Sequence, residues 1–190
     1  MEKTNKTYKK EIVMVLINRK DQDGFNNVML CDTDTNSDTG RARMIATEIP
    51  EGTNMREKMT YMVAKLIQNI RSKIKEGDTD TKYTIIVGSI LKGLEIESTR
   101  DFWLNNKKTK TGTDLSDNFL KNVGYIRTSL NKCEGQIKLT SDWREKPHMY
   151  NGKMYGSETY TELVSLAWNE MDKVIPPRLN RVKGFTLEEN

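Results

Sequence analysis

Apolar positions recur at helical spacing in the middle of the chain and predict a long amphipathic helix. Its predicted apolar stripe is formed by Met55, Met59, Met62, Val63, Leu66, Ile67, Ile70 and Ile74. Asn54 with Glu57 three residues later is typical of an N-cap and capping box, and Gly77 follows as the stop. The apolar run from Tyr83 to Leu91 then predicts a strand that is covered on both faces.

The chain before this helix has the pattern of three strands. The continuous apolar run Glu11 to Ile17 predicts a central strand, and Asp21 to Gly24 a turn. Phe25 to Cys31 predicts its hairpin partner. Alternation over Arg41 to Ile49 predicts a third strand, which Pro50 closes.

The segment after the fourth strand is harder to interpret. Phe102 to Leu104 forms an apolar anchor, Asn105 to Thr113 a polar, Lys-rich loop, and Leu115 to Leu120 one helical turn. Val123 to Leu130 and Gln136 to Thr140 then predict a second hairpin.

A loop and a second helix complete the pattern. Trp143 to Gly156 is rich in aromatic residues and glycine and is predicted to be a loop. Thr159 with Glu162 predicts a capping box, and an apolar stripe continues to Ile175 before Pro176 and Pro177. The predicted core positions of this helix are Tyr160, Leu163, Val164, Ala167, Trp168, Met171 and Ile175.

These elements predict an α+β fold: a single domain with a mixed, largely antiparallel sheet packed by two main amphipathic helices. The domain is expected to span residues 11–176, after a flexible basic tail at 1–10 and before a C-terminal tail at 177–190. With 190 residues, the chain is long enough to bury a substantial core without disulfide or metal staples.

Charge and apolar content restrict the function classes only mildly. The net charge of +4 and pI near 8.9 favour anionic partners, although ordinary solubility explains them nearly as well. No apolar run is long enough to span a membrane, and the N-terminus lacks a secretory signal, so we expect a cytoplasmic or virion-associated, peripheral location. Cys31 and Cys133 are expected to be reduced thiols, with a single bridge left open.

Catalytic and cofactor signatures are weak, so the sequence predicts no enzyme, no cofactor and no metal. His148 is the only histidine and lies in no recognisable motif. The acidic loop that begins at Asp32 resembles the start of a calcium loop but has Ser37 and Arg43 where a Gly and a Glu are needed. No glycine-rich phosphate loop follows a strand, and no small-molecule substrate is expected.

A ribonuclease H-like fold is an alternative, because hairpin, strand, helix and strand also open that fold. Its chemistry needs carboxylates that converge on two metal ions. The strand interiors Ile12 to Ile17 and Tyr83 to Leu91 contain no acid, and Glu57 would stand alone. A degenerate or metal-dependent nuclease would have to use another acidic set: Asp21, Asp23, Asp32 and Asp34.

Two groups of surface residues are candidate binding sites. Lysines near the N-terminus and in the predicted loop form a candidate site for an anionic partner: Lys3, Lys6, Lys9, Lys10, Lys107, Lys108 and Lys110. The aromatic loop is a candidate partner or lipid contact, or an ordinary loop folded onto the core: Trp143, Lys146, Tyr150, Met154 and Tyr155.

The order of these features resembles the rhabdovirus matrix proteins. The similarity lies in the basic start, the helix 54–75 with the strand after it, and the later segment Cys133 to Thr140 ahead of a final helix. The family implies a non-enzymatic structural protein that binds nucleocapsid RNA or an anionic membrane surface and self-associates. Pro176 and Pro177 are not followed by the Tyr of a late-budding motif.

Three functions therefore stand as expectations. The first is a matrix-like viral assembly protein that binds nucleic acid phosphates or anionic membrane and itself. The second is a phage or plasmid accessory protein that binds a protein partner through the loop Trp143 to Tyr155. The third is the ribonuclease H-like alternative.

Overall fold

The computed structural model describes residues 8–20, 26–34, 41–45, 55–88, 91–141, 148–150, 153–155, 164–165, 167–169 and 171–173. The strands are β1 (Lys10–Lys20), β2 (Asn26–Asp34), β3 (Arg41–Ile45), β4 (Thr81–Val87), β5 (Ile137–Thr140), β6 (His148–Tyr150) and β7 (Lys153–Tyr155). The helices are α1 (Met55–Lys75), α2 (Lys92–Glu95), α3 (Glu97–Asn106) and α4 (Asp117–Lys132).

Five strands form one sheet in the order β3-β2-β1-β4-β5. β2 pairs antiparallel with both β1 and β3, which confirms the predicted first hairpin. β1, β4 and β5 are parallel, with Val15 opposite Ile86 and Ile85 opposite Leu139. β1 is the central strand of the sheet, as its continuous apolar run indicates.

The predicted α+β class with a largely antiparallel sheet is wrong. β1, β4 and β5 form an all-parallel half of the sheet, and helices connect its strands, which is an α/β arrangement. Parallel neighbours need long crossover connections, so β1 and its partner β4 are far apart in sequence. The alternation of apolar and polar residues within one segment therefore cannot reveal the pairing of β1 with β4.

α1 and α4 pack side by side and point in the same direction. Glu57 contacts Ser116 near the start of both helices, and Arg71 contacts Ser129 near their ends. The two contacts are separated by similar lengths of helix, which requires parallel axes. Buried side chains of both helices share one core cluster with those of β1, β4 and β5, so α1 and α4 cover the parallel half of the sheet.

The helix predicted over 54–75 is confirmed as α1. Six of the eight predicted stripe residues are buried, and Met55 and Ile74 pack against the core as half-buried side chains. Gly77 has φ +114°, and its N–H donates to the Ile74 carbonyl at 3.1 Å, so it ends the helix as predicted. Asn54 lies outside the described residues.

The strand predicted from Val123 to Leu130 is wrong, because this segment belongs to α4. Phe119, Val123 and Ile126 are buried at helical spacing, and Phe119 packs on Trp103 with ring centroids 5.4 Å apart. The β-branched residues of the segment suggested a strand, but the apolar face that they share with Phe119 has the helical period.

The predicted loop Trp143 to Gly156 contains a two-stranded antiparallel sheet, β6 and β7, in which Met149 lies opposite Met154. Residues 164–165, 167–169 and 171–173 are helical, in agreement with the second predicted helix. Ala167 and Met171 are buried as predicted, whereas Trp168 is 38% exposed. Within the described part of the chain, no helix combines the length and apolar character that crossing a membrane requires.

Candidate nucleic-acid interface

The carboxyl edge of β1, β4 and β5 is where a site is expected in an open α/β sheet. α1 ends just before β4 begins, and α4 ends just before β5 begins. The N-termini of α1 and α4 therefore lie toward the carboxyl edge, and α2 follows the end of β4. Side chains from distant segments meet there.

Glu57 lies in the first turn of α1 and is half-buried. Its Oε1 accepts a hydrogen bond from the Ser116 hydroxyl at 2.7 Å. The same Ser116 Oγ accepts the Phe119 N–H at 3.2 Å and caps α4. One hydroxyl thus joins the starts of both helices.

Glu95 is the second carboxylate at this edge. Its Oε2 accepts hydrogen bonds from the Ser141 N–H at 2.8 Å and the Ser141 hydroxyl at 2.6 Å. The buried Arg100 donates from Nη1 to the carbonyls of Leu94 and Glu95, at 2.7 Å and 2.8 Å, and so fixes the end of α2. The sequence gives no local signal for this cluster, because its partners are 46 residues apart.

The described residues do not contain a group of three or more acidic, His or Cys side chains that could hold a metal ion. Glu11 is buried at the start of β1, with its Oε2 3.9 Å from Lys82 Nζ. Asp34 and Asp32 pair with Ile12 and Met14, in the first half of β1 and away from its carboxyl end. Asp21 and Asp23 lie outside the described residues.

A compact loop connects α3 to α4 and carries the predicted lysines. The Lys107 N–H donates to the Trp103 carbonyl at 2.8 Å, and the Leu115 N–H donates to the Lys107 carbonyl at 3.0 Å. Within the loop, the Thr109 N–H donates to the Thr113 carbonyl at 2.8 Å. The loop is therefore closed at its base and cross-linked near its tip. We call residues 107–114 the lysine loop.

The lysine loop presents a net positive charge to solvent. Lys107, Lys108 and Lys110 are all exposed, and Asp114 is the only acid of the loop. Lys108 Nζ lies 3.6 Å from Asp114 Oδ1, while Lys107 and Lys110 have no ion pair within the described part of the chain. Lys107 has φ +55°, a left-handed conformation that Gly or Asn usually adopts at a helix end.

The predicted N-terminal lysines lie at the other edge of the sheet. Lys10 begins β1 opposite Thr81, and Lys9 Nζ is 3.3 Å from Asp80 Oδ2. Lys3 and Lys6 lie outside the described residues. The structure therefore does not bring Lys9 and Lys10 together with the lysine loop.

The amino edge also contains a polar cluster centred on Tyr83. Its hydroxyl donates to Asp78 Oδ2, and Gln136 Nε2 donates to the Asp78 carbonyl at 2.8 Å. Burial, followed by the interaction with Asp78, raises the pKa of Tyr83. Burial acts to raise the pKa of Asp78, but hydrogen bonds from Tyr83 and Thr81 and the charge of Lys10 outweigh it and lower that pKa.

The second predicted surface lies partly in β6 and β7. Tyr150 pairs with Lys153 at the turn of this small sheet, and Tyr155 pairs with His148 at its other end. Met154 lies between them in β7. Trp143 and Lys146 lie outside the described residues, so the proposed partner or lipid contact stays a prediction. Cys133 is a free thiol directly after α4.

Solved structures similar to this chain come from foamy virus. A foamy virus protease–reverse transcriptase in complex with dsDNA aligns with 85% of this chain and 93% of its own, at 10% identity and a TM-score of 0.47. The PFV RNase H domain aligns with 86% of this chain and 94% of its own, at 11% identity and a TM-score of 0.45. A foamy virus protease–reverse transcriptase in complex with an RNA/DNA hybrid aligns with 74% of this chain but only 19% of its own, at 10% identity and a TM-score of 0.42.

No protein-family model matches this chain, and a comparison with curated proteins found no match. The similar structures are a protease–reverse transcriptase and an RNase H domain, so the rhabdovirus matrix interpretation is wrong. The interpretation depended on the order of tail, helix and strand, and an α/β sheet with helical crossovers produces the same order. The same similar structures contradict two expectations that belonged to the matrix interpretation. One was a membrane-associated, self-assembling structural protein, and the other was that the chain is not an enzyme.

Proposed function

We propose that this chain is a nucleic-acid-binding protein of the ribonuclease H-like kind, and that its lysine loop contacts phosphates. The observation that carries the proposal is the closed loop with three exposed lysines beside the carboxyl edge of the parallel strands. Hydrogen bonds within the loop hold the lysine backbones in place before a ligand arrives. Less conformational entropy is then lost on binding.

Contacts of this kind read the charge of the backbone and not the base sequence. Lys ammonium groups are point charges that neutralise phosphates and release counterions, so affinity falls steeply with salt. Two of the similar foamy virus structures contain an RNA/DNA hybrid or dsDNA. The three exposed lysines of the loop are the basis on which we propose phosphate binding.

The test is to replace the two loop lysines without an ion pair, as Lys107→Gln with Lys110→Gln. Binding to a labelled duplex should lose about two units of slope in a plot of log affinity against log salt, because each phosphate contact contributes about one. Lys132→Gln with Lys173→Gln is the matched control, since both lysines are exposed and lie outside the loop and outside α2. Equal slopes for the two variants would contradict the proposal.

Cleavage of nucleic acid is a second candidate function. It is favoured by Glu57, a half-buried carboxylate at the carboxyl edge whose Oε1 is oriented by Ser116. Incubation of a labelled RNA/DNA hybrid with the protein and Mn²⁺ should then give products that Glu57→Gln abolishes and the exposed control Glu97→Gln does not. An intact hybrid with the unaltered chain would reject this candidate.

A further inference from the structure

The net positive charge of the chain is concentrated on one helix. α1 contains six basic residues, Arg56, Lys58, Lys65, Arg71, Lys73 and Lys75, and a single acid, Glu57. The chain has 31 Lys and Arg and 27 Asp and Glu, so the residues outside α1 have 25 basic against 26 acidic side chains and a net charge of −1. α1 alone therefore accounts for the excess positive charge.

Most of this charge faces solvent. Lys65, Lys73 and Lys75 are exposed and Lys58 is half-buried, whereas Arg71 turns toward α4 and donates from Nη1 to Ser129 Oγ at 3.0 Å. The residues between them on the exposed side are uncharged: Gln68, Asn69 and Ser72. Within the described part of the chain, none of these four lysines has an ion pair. Their charge is therefore available to a partner.

One of these lysines lies over an aromatic ring. Lys65 Nζ lies 5.5 Å from the ring centroid of Tyr61, and Tyr61 is 39% exposed. The ring attracts the ammonium group but donates no charge to cancel it. From Lys58 to Lys75 the helix rises about 26 Å at about 1.5 Å per residue. The lysines thus form a long positive stripe along the outside of α1.

We infer that this stripe of α1 is a second phosphate-binding surface, for the backbone of a nucleic-acid duplex. The inference depends on the proposed function and adds a second contact region to it. Charge complementarity identifies the occupant, because a duplex presents negative charge along a line as the stripe presents positive charge. The Leu115–Lys107 and Ser116–Glu57 contacts place the base of the lysine loop beside the first turn of α1. One duplex can therefore meet both surfaces.

The test compares two double variants with equal loss of charge, Lys65→Gln with Lys73→Gln and the control Lys132→Gln with Lys173→Gln. Each is titrated into a labelled 16-base-pair duplex across a salt series, after urea unfolding has shown that both fold as the unaltered chain does. The α1 variant should lose about two units of salt slope and the control none. When Lys107→Gln and Lys110→Gln are added to the α1 variant, the salt dependence should become shallower by about two further units of slope.

The outcomes separate this inference from the function on which it depends. If the loop variant loses slope and the α1 variant does not, the α1 surface is rejected and the lysine loop stands. Failure of the unaltered chain to bind the duplex at low salt would reject both. Vesicles of phosphatidylserine and phosphatidylcholine provide the other anionic probe. If the α1 changes abolish vesicle binding and leave duplex binding unchanged, the stripe serves a lipid and the inference is wrong.

Discussion

Ser116 donates its hydroxyl to Glu57 Oε1 at 2.7 Å, across 59 residues of sequence, while its Oγ accepts the Phe119 N–H. The start of α4 is therefore capped by a side chain that is itself fixed to the start of α1. The lysine loop ends at this junction, because Leu115 directly precedes Ser116 and is bonded to Lys107. The junction sets the position of the loop relative to both helices.

Replacement of Ser116 by Ala should lower the free energy of unfolding by about 1–2 kcal/mol, because α4 loses its N-cap and Glu57 loses a donor. Ser116→Thr keeps a hydroxyl and should lower it by less than about 0.5 kcal/mol. Urea unfolding of the two variants measures the difference. Equal stabilities would mean that the hydroxyl does not join the helices.

Gly124 provides a test of the helical assignment of α4. A Cβ built at this position meets Leu104 Cδ2 at 3.8 Å, an ordinary contact. Gly124→Ala should therefore raise the free energy of unfolding by about 0.5–1 kcal/mol, since Gly is a poor helix former. Thermal unfolding would show a higher Tm. A lower Tm would argue against a helix at this position.

Gly93 is the contrasting helical glycine. A Cβ at Gly93 would lie 2.7 Å from Cη2 of the buried Trp103 ring, which is closer than real Cβ contacts come. Gly93→Ala should lower the free energy of unfolding by about 1–3 kcal/mol through overpacking. The same substitution thus has opposite signs at the two glycines, and thermal unfolding of both variants side by side would show it. Unaltered stability in Gly93→Ala would contradict the close packing of α2 on α3.

The pair Tyr83 and Asp78 predicts a pH dependence of stability. The folded-state pKa of Asp78 is lowered, so its contribution is present at neutral pH and is lost as pH falls through that pKa. The folded-state pKa of Tyr83 is raised, so stability falls as pH rises above about 10, where the unfolded tyrosine ionises first.

Tyr83→Phe removes the hydroxyl and should lower the free energy of unfolding by about 1.5–3 kcal/mol at pH 7, as for a hydrogen bond to a charged group. The difference between the two proteins should shrink below about pH 4, as Asp78 protonates. Urea unfolding from pH 2 to pH 7 measures it. A difference that stays constant over this range would show that Asp78 is not the acceptor that matters.

Local patterns predicted the elements whose signal is contained in one segment. The helical stripe from Met59 to Ile70 and the continuous apolar run of β1 each specify the side that must be buried. Gly77 ends α1 because only a residue tolerant of positive φ fits there. These features need no knowledge of distant partners.

The parallel pairing and the contacts at the carboxyl edge depend on residues far apart in sequence. Val15 faces Ile86 only after α1 has crossed the sheet, and Glu95 meets Ser141 only after β5 has formed beside β4. Local patterns predict a turn and a strand in place of α4, because Val123 and Ile126 favour extended structure locally, although packing on Trp103 selects the helix.

The concentration of positive charge on α1 can be recognised from the sequence alone. Its lysines are spread through an amphipathic helix between apolar residues, so they do not form a run as Lys107 and Lys108 do. A count of charge by predicted element, rather than by consecutive residues, places the net positive charge on this helix. The structure adds which of these lysines are exposed.

Binding of the unaltered chain to a labelled duplex across a salt series tests the central claim most directly. We predict binding at about 50 mM salt, with log affinity falling against log salt at a slope of about −3 or steeper, because three loop lysines would contribute about −0.9 each. Steeper values are expected if α1 also takes part. An affinity that does not change between about 50 mM and 200 mM salt, or no binding at the lower salt, would contradict the claim.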